Sequence, residues 1–135
     1  MLEPSVRALI LSEQERHRFI DNDDVDAYLA KLAARAEFLS AAGDGRCRGV
    51  VAYYANDQVT RRGFITLVVV NPLDRGTGLG RALVSCVLEM MQQRGLVACR
   101  LEVAHANTAA RALYGSLGFA AVEGREHRDL LEIIF

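Results

Sequence analysis

The hydrophobic and polar positions of the chain change their period between its first third and the remainder. Residues 5–11 (SVRALIL) alternate weakly, which predicts a short first strand. Ser12 and Glu15 then have the S-x-x-E spacing of a capping box, so we expect a helix to begin there. A second helix is predicted from the acidic run at residues 21–26 as far as Gly43, because apolar residues recur at helical spacing. These apolar residues are Val25, Leu29, Leu32, Ala36 and Leu39.

The middle of the chain has the composition of two strands. Residues 46–55 (RCRGVVAYYA) and residues 63–70 (GFITLVVV) are rich in β-branched and aromatic side chains. A polar segment that contains Asn56 and Asp57 separates them. We therefore predict an antiparallel pair of strands.

The pattern returns to a helical period after a glycine-rich segment. An apolar stripe precedes Gly95, which is well placed to end the helix. Residues 96–103 (LVACRLEV) follow as a strand, and a strand-helix-strand passage implies a parallel pair. The stripe consists of Leu79, Leu83, Cys86, Val87 and Met90.

A last helix and two short strands complete the predicted elements. Asn107 or Thr108 caps the helix, and Gly118 ends it. The two strands are expected around residues 119–122 and residues 130–135.

Length, composition and charge narrow the class of protein. A chain of 135 residues predicts one domain over residues 1–135. Its apolar runs are too short for a membrane helix and its start lacks the layout of a secretory signal, so we expect a cytoplasmic protein with no membrane partner. A net charge of −1 gives no footprint for nucleic acid. Cys47, Cys86 and Cys99 lack metal-ligand spacing, so we expect no metal and three small buried residues.

The glycine-rich segment, residues 71–84 (NPLDRGTGLGRALV), carries the first candidate chemistry. The P-loop pattern is excluded because the segment has no lysine. The dinucleotide fingerprint of an oxidoreductase fails because Arg81 stands where its last glycine belongs. An R-x-x-G-x-G pattern remains, with Arg75, Gly78 and Gly80. Such glycines let backbone amides approach a pyrophosphate at a helix N-terminus, although a merely flexible helix start is the alternative.

Two segments in order resemble one family. Residues 67–84 (LVVVNPLDRGTGLGRALV) resemble the acetyl-CoA-binding segment of the GNAT superfamily of N-acetyltransferases, and residues 101–119 (LEVAHANTAARALYGSLGF) resemble its next segment. The resemblance covers residues 64–119. It implies an α/β (α+β) fold, in which helices flank a mixed, mostly antiparallel sheet that is split between two parallel central strands.

The same resemblance implies acetyl-CoA as cosubstrate, held in that split. Backbone groups of three consecutive valines would bind its pantetheine chain, the glycine loop would bind its pyrophosphate, and Asn107 would contact the pantetheine or cap its helix. The implied acetyl-CoA-binding residues are Val68, Val69, Val70, Arg75, Gly76, Thr77, Gly78, Leu79, Gly80, Arg81 and Asn107.

Two residues of the second segment are the predicted catalytic groups. The resemblance implies that Tyr114 donates a proton to the sulfur of CoA; an ordinary tyrosine of an amphipathic helix is the alternative. Glu102 lies within an apolar strand, where partial burial favours a useful base, and it matches the base of bacterial ribosomal-protein N-acetyltransferases. A strand carboxylate that pairs with Arg100 or faces solvent is the alternative. His105, acting through water, or water itself would then be the base.

The predicted function is transfer of an acetyl group to a primary amine, with a small molecule such as an amino sugar, amino acid or polyamine as the acceptor. Acetylation of a protein N-terminal amine and a non-catalytic acyl-CoA-binding module are the alternatives. The acidic run at residues 21–26 predicts a positively charged acceptor, unless its aspartates only cap helices. The oligomeric state stays open, a homodimer included.

Overall fold

The computed structural model describes residues 2–18, 20 and 24–135. In chain order, its elements are α1 (Pro4–His17), α2 (Val25–Arg35), β1 (Glu37–Gly43), β2 (Arg46–Tyr54), β3 (Arg62–Val70), a 3₁₀ helix (Pro72–Asp74), α3 (Leu79–Gln93), β4 (Ala98–Ala104), α4 (Thr108–Leu117), β5 (Ala120–Gly124) and β6 (Arg128–Ile134). Of the helices in these residues, none has both the length and the apolar character needed to cross a membrane.

Helix α1 occupies the segment that was predicted to be a strand, so that prediction is wrong. The Glu3 carboxylate accepts hydrogen bonds from the backbone amides of Ser5 and Val6, and Pro4 takes the first helical position. Ser12, the expected start of the first helix, lies inside α1. The apolar positions of the segment also fit a helical stripe, and its cap favours the helix. The buried face of α1 consists of Val6, Leu9, Ile10 and Glu13, of which the first three are apolar.

Helix α2 is shorter than the sequence predicts. It begins after Asp24, whose carboxylate accepts a hydrogen bond from the Ala27 amide at 3.0 Å. The predicted continuation to Gly43 is wrong, because β1 fills the rest of that range. Asp44 and Gly45 have φ angles of 55° and 72°. Two left-handed residues of this kind form the tight turn that joins β1 to β2 as an antiparallel hairpin.

The six strands form a mixed, mostly antiparallel sheet, which confirms the predicted fold class. Their order is β1-β2-β3-β4-β6-β5, so the two strands predicted in the middle of the chain are neighbours. Strands β4 and β6 are antiparallel, as are β5 and β6. The predicted parallel pair is β3 with β4, and their pairing runs from Arg62 opposite Ala98 to Ile65 opposite Leu101.

The chain divides into two compact units. Unit 1 comprises Met1–Tyr53 and Leu67–Val84, and unit 2 comprises Tyr54–Thr66 and Ser85–Phe135. Strand β3 and helix α3 contribute residues to both units. The expectation of a single domain over residues 1–135 stays a prediction.

In unit 1, a glycine lets the first turn of α3 lie directly against β2. A Cβ atom at Gly49 would come within 3.0 Å of Leu83 Cδ1 and 3.2 Å of Leu79 Cδ2. A side chain there would require these two leucines to shift by a few tenths of an ångström, so glycine permits the closest packing. The start of α3 is therefore fixed by its contact with β2.

In unit 2, the buried face of α3 differs in part from the predicted stripe. Val87 is buried as expected, but Leu88 and Met91 are buried in place of Cys86 and Met90. Val87, Leu88 and Met91 lie at positions i, i+1 and i+4, so α3 keeps one apolar face, which is turned from the predicted one. Cys86 is exposed, which makes its predicted burial wrong, whereas burial of the other two cysteines is confirmed.

Candidate functional site

The glycine loop, residues 75–81, comprises the segment between the 3₁₀ helix and α3 and the first three residues of α3, all in unit 1. Gly76 and Gly78 have φ angles of 75° and 81°, in the left-handed region that favours glycine. Both are exposed, and a Cβ atom at either would meet no other atom within 4 Å. These glycines are therefore needed for the shape of the loop, and the space above them is open to a ligand.

The loop leads into the N-terminus of α3. The Ala82 amide donates to the Gly78 carbonyl oxygen at 3.0 Å, and this is the first turn of the helix. Helix geometry gives the preceding amides, those of Leu79 and Gly80, no acceptor within α3. Together with the positive end of the helix dipole, these amides are suited to an anion such as a phosphate.

A buried carboxylate anchors the root of the loop. Asp74 is 4% exposed and accepts hydrogen bonds from Arg46 Nη2 at 3.0 Å and Arg48 Nε at 2.9 Å. Burial alone would raise the pKa of Asp74, but the two arginines hold it below its ordinary value. Thr77 Oγ1 also donates to the Asp74 carbonyl oxygen at 2.6 Å. Asp74 is thus ionised and bonded from several sides.

Arg75, the first residue of the R-x-x-G-x-G pattern, is bonded to α1. Its Nη2 donates to Glu13 Oε2 at 2.8 Å, and Glu13 is only 3% exposed. Glu13, Asp74, Arg46 and Arg48 are not among the residues predicted from the sequence. Arginines at alternate strand positions point to one face of a sheet, and this is the signal that could have indicated a shared carboxylate.

The valines predicted to bind pantetheine end β3. Val69 is buried, and Val68 and Val70 are half-buried, as expected for alternate residues of a strand. Their backbone role stays a prediction. The following residue, Asn71, donates its amide hydrogen to the Arg48 carbonyl oxygen at 2.8 Å. The end of β3 is therefore tied to the same strand that anchors Asp74.

Tyr114 lies on α4 in unit 2 and is 7% exposed. Its ring packs edge-to-face against Phe119, with the ring centres 5.8 Å apart. Burial raises the pKa of Tyr114 to about 12. Within the described residues, its hydroxyl has no hydrogen-bond partner. Tyr114 is therefore a neutral phenol with its proton available.

Glu102, on β4, is bonded to Arg125. The Arg125 Nη1 donates to Glu102 Oε1, and its Nε donates to Glu123 at 3.2 Å. Pairing of Glu102 with Arg100, one alternative of the sequence analysis, is wrong. Arg100 lies opposite Glu132 in the antiparallel β4/β6 pair and donates to it at 2.6 Å. The Glu102 carboxylate is part of a small charged cluster at the surface of unit 2.

His105 directly follows β4 and is half-exposed. Its Nε2 lies 2.8 Å from Asp129 Oδ1, and Arg111 Nη1 donates to the other oxygen of Asp129 at 2.7 Å. These two hydrogen bonds, first that of Arg111 and then that of His105, lower the pKa of Asp129. A histidine held by a carboxylate in this way keeps a defined ring orientation.

Asn107 caps α4, as the sequence predicts. Its Oδ1 accepts a hydrogen bond from the Ala110 amide at 3.1 Å. The helix ends at Gly118, with a φ angle of 107°, which confirms the predicted C-terminus. The Asn107 oxygen is thus occupied by the helix, and its contact with pantetheine stays a prediction.

Part of the acidic run has structural partners. Asp24 caps α2, and Asp26 pairs with Arg7 of α1 at 2.7 Å. Asp21 and Asp23 lie outside the described residues. Capping thus explains one aspartate of the run, and the preference for a cationic acceptor stays a prediction.

The predicted site residues are distributed over both units. Unit 1 holds the valines of β3 and the glycine loop, whereas unit 2 holds Glu102, His105, Asn107 and Tyr114. In the part of the chain that the structure describes, no group of His, Cys, Asp and Glu could hold a metal ion.

Comparisons with known proteins point to acetyl transfer. The model of the Acetyltransferase (GNAT) family matches residues 6–119. A mycothiol acetyltransferase of Thermobispora bispora is 53% identical over 57 residues, which are 42% of this chain and 19% of that protein. The N-alpha-acetyltransferase MAK3 of Arabidopsis thaliana is 34% identical over 84 residues, which are 62% of this chain and 44% of that protein. The matched segments thus span less than half of either relative.

A solved structure shares the fold. The ribosomal-protein-alanine N-acetyltransferase from Brucella melitensis aligns with a TM-score of 0.78 and 23% identity, over 98% of this chain and 93% of that one.

Proposed function

Because the chain belongs to the acetyltransferase (GNAT) family, we propose that it transfers an acetyl group from acetyl-CoA to a primary amine. The observation that carries the proposal is the open glycine loop before α3. Gly76 and Gly78 adopt left-handed conformations there and leave the backbone accessible. A loop of this shape at a helix N-terminus suits the pyrophosphate of a cosubstrate.

The proposed acetyl-CoA contacts are mainly backbone contacts. The backbone amides of the glycine loop bind the pyrophosphate. Backbone groups of Val68, Val69 and Val70 bind the pantetheine chain. Backbone contacts do not depend on polar side chains, in agreement with the small and apolar residues at most of these positions.

We propose that the Tyr114 hydroxyl donates a hydrogen bond to the departing sulfur of CoA. The amine nitrogen attacks the thioester carbonyl carbon, the carbon-sulfur bond breaks, and the thiolate takes up a proton. A phenol with a pKa of about 12 keeps its proton at neutral pH. Complete transfer to a thiolate with a pKa of about 8.5 would cost roughly 5 kcal/mol, so stabilisation of the developing thiolate by a hydrogen bond is the larger contribution. Tyr114→Phe should therefore lower kcat about 100-fold with little change in the KM for acetyl-CoA.

Glu102 is the proposed base that removes a proton from the amine. Arg125 fixes one of its oxygens, and the other can receive the proton directly or through water. His105, held by Asp129, is the competing candidate. The dependence of kcat/KM on pH for Glu102→Gln and His105→Gln separates them. The variant that loses the acidic limb of the profile identifies the base, and an unchanged profile in both would leave water as the base.

A small-molecule amine is the proposed acceptor. A protein N-terminal amine is the second candidate, and the similarity to an N-alpha-acetyltransferase over 62% of this chain favours it. A cationic small molecule would agree with the acidic run, of which Asp24 and Asp26 are already engaged in the structure. The two classes differ in size and can be tested in one screen.

The first test is ligand binding. Acetyl-CoA should raise the Tm, whereas NAD or ATP at the same concentration should not, because a ligand stabilises only a protein with a matching site. Equal shifts with NAD would contradict the proposed use of the glycine loop.

The second test identifies the acceptor through release of the CoA thiol. The panel contains amino sugars, amino acids, polyamines and short peptides, each peptide paired with its N-acetylated form as a control. Turnover of small amines supports the proposal, and turnover confined to peptides with free N-termini supports the second candidate. Binding of acetyl-CoA with no turnover of any amine in the panel would favour a non-catalytic acyl-CoA-binding module.

A further inference from the structure

Two buried carboxylates flank the glycine loop without any part in the chemistry described above. Glu13 and Asp74 are the charged residues buried within the described part of the chain. Both belong to unit 1, and both bind arginines. A buried carboxylate costs stability unless a partner compensates it, so these pairs require a structural or functional reason.

Their partners show which segment they hold. Asp74 joins the root of the loop to β2 through Arg46 and Arg48, while its carbonyl oxygen binds Thr77 inside the loop. Glu13 joins the next residue, Arg75, to α1. Two consecutive residues thus attach the loop to two different elements of unit 1. Asp74 is the acidic partner in its ion pairs with β2, and Arg75 is the basic partner in its ion pair with α1.

The loop itself has little intrinsic order. Glycines lose more conformational freedom on ordering than other residues do, and this segment contains Gly76, Gly78 and Gly80. No other atom lies within 4 Å of the place where a Cβ of Gly76 or Gly78 would be, so the surroundings do not hold these residues in place. A loop that orders only when a ligand binds spends part of the binding free energy on that ordering. External anchors are therefore the means by which such a loop keeps its binding conformation before the ligand arrives.

We propose that Glu13 and Asp74 are positioning residues, which hold the glycine loop in the conformation that receives the pyrophosphate of acetyl-CoA. The inference rests on the proposed function. Each carboxylate acts through an arginine and not on the ligand. Their effect should be confined to donors that carry a pyrophosphate.

The sign of the effect separates positioning from simple electrostatics. A carboxylate near an anionic ligand repels it, so its neutralisation alone would tighten binding. Loss of an anchor weakens binding, because the ligand must then order the loop. Asp74→Asn and Glu13→Gln keep the shape of each side chain and remove its charge. Tighter binding of acetyl-CoA by these variants would indicate repulsion by the carboxylate, and weaker binding would indicate loss of an anchor.

The experiment compares two donors, acetyl-CoA and S-acetylpantetheine, which lacks the pyrophosphate. In both variants the KM for acetyl-CoA should rise about tenfold while kcat stays within about twofold. The kcat/KM for S-acetylpantetheine should stay unchanged. Glu132→Gln is the matched control, because it neutralises another glutamate that binds one arginine, and it should leave the KM for acetyl-CoA unchanged.

Equal losses with both donors, or tighter binding of acetyl-CoA by the variants, would overturn the inference. If Asp74→Asn does not fold, Arg48→Gln replaces it. The Arg48 side chain is half-exposed, and this change removes only the Arg48 hydrogen bond to Asp74. Calorimetric titration of the wild-type protein with CoA distinguishes the failures. Absence of binding contradicts the proposed function, whereas normal binding in wild type and variants contradicts the positioning role alone.

Discussion

Tyr114 illustrates how burial decides the state of a single residue. Its ring is enclosed on α4 beside Phe119, and its pKa is raised to about 12. The sequence could indicate the position of this tyrosine, since it stands in a segment similar to the family. It could not indicate the pKa, which depends on how closely residues distant along the chain enclose the ring.

A raised pKa makes the stability depend on alkaline pH. The folded protein holds the Tyr114 proton more tightly than the unfolded chain, so this contribution is complete below pH 10 and is lost as the pH rises towards 12. The loss in the free energy of unfolding should be about 2 kcal/mol by pH 11.5, out of about 3 kcal/mol in full. Urea unfolding of wild type and Tyr114→Phe at pH 9 and at pH 11.5 measures it. A constant difference between the two proteins over this range would contradict the burial effect.

At the scale of elements, the C-terminal part of the fold was predictable and the N-terminal part was not. Helices α3 and α4 end at Gly95 and Gly118, and a glycine at a helix end is a signal contained in the sequence. Helix α1 begins with Glu3, an unusual cap, and the weak alternation after it favoured a strand. The Asp44-Gly45 dipeptide is a hairpin signal, but the apolar period of α2 continues as far as Gly43 and so conceals β1, the first strand of the hairpin.

Asn107 has two assigned roles, as the N-cap of α4 and as a predicted contact of the pantetheine chain. Asn107→Ala removes the cap of α4 and should lower the free energy of unfolding by about 1 kcal/mol, whereas Asn107→Asp should retain the cap. If the side chain also contacts pantetheine, both variants should raise the KM for acetyl-CoA. Denaturant unfolding and steady-state kinetics on the same preparations separate the roles. A higher KM in the alanine variant alone would show that only the position of α4 matters.

Gly49 tests whether β2 fixes the start of α3. A valine there must push Leu79 and Leu83 aside, because their methyl groups lie only 3.2 and 3.0 Å from the position of its Cβ. We expect a loss of roughly 1–3 kcal/mol in stability, with a higher KM for acetyl-CoA because the α3 N-terminus shifts. Calorimetric unfolding and kinetics provide the measurement. Gly49→Ala is the graded control, since a lone Cβ requires these two leucines to shift by only a few tenths of an ångström. Loss of stability with an unchanged KM would separate packing from the loop.

At the scale of the whole molecule, the sequence could indicate the ligand loop but not what supports it. The glycines lie within a few residues of one another, so spacing alone revealed them. Their anchors come from pairs far apart in the chain, 62 residues for Arg75 with Glu13 and 28 for Arg46 with Asp74. Such pairs depend on how α1 and β2 pack in unit 1, and local period contains no information about that packing.

The placement of the three cysteines gives each unit its own chemical reporter. Cys86 is exposed and should react at once with a thiol reagent, whereas Cys47 in unit 1 and Cys99 in unit 2 are buried. In Cys86→Ala, the modification rates of these two thiols therefore report the opening of each unit separately, when followed by peptide mass spectrometry. Equal rates would mean that the units open in one cooperative event. Different rates would show which unit unfolds first. Slower labelling of Cys47 in the presence of CoA would show that CoA stabilises unit 1.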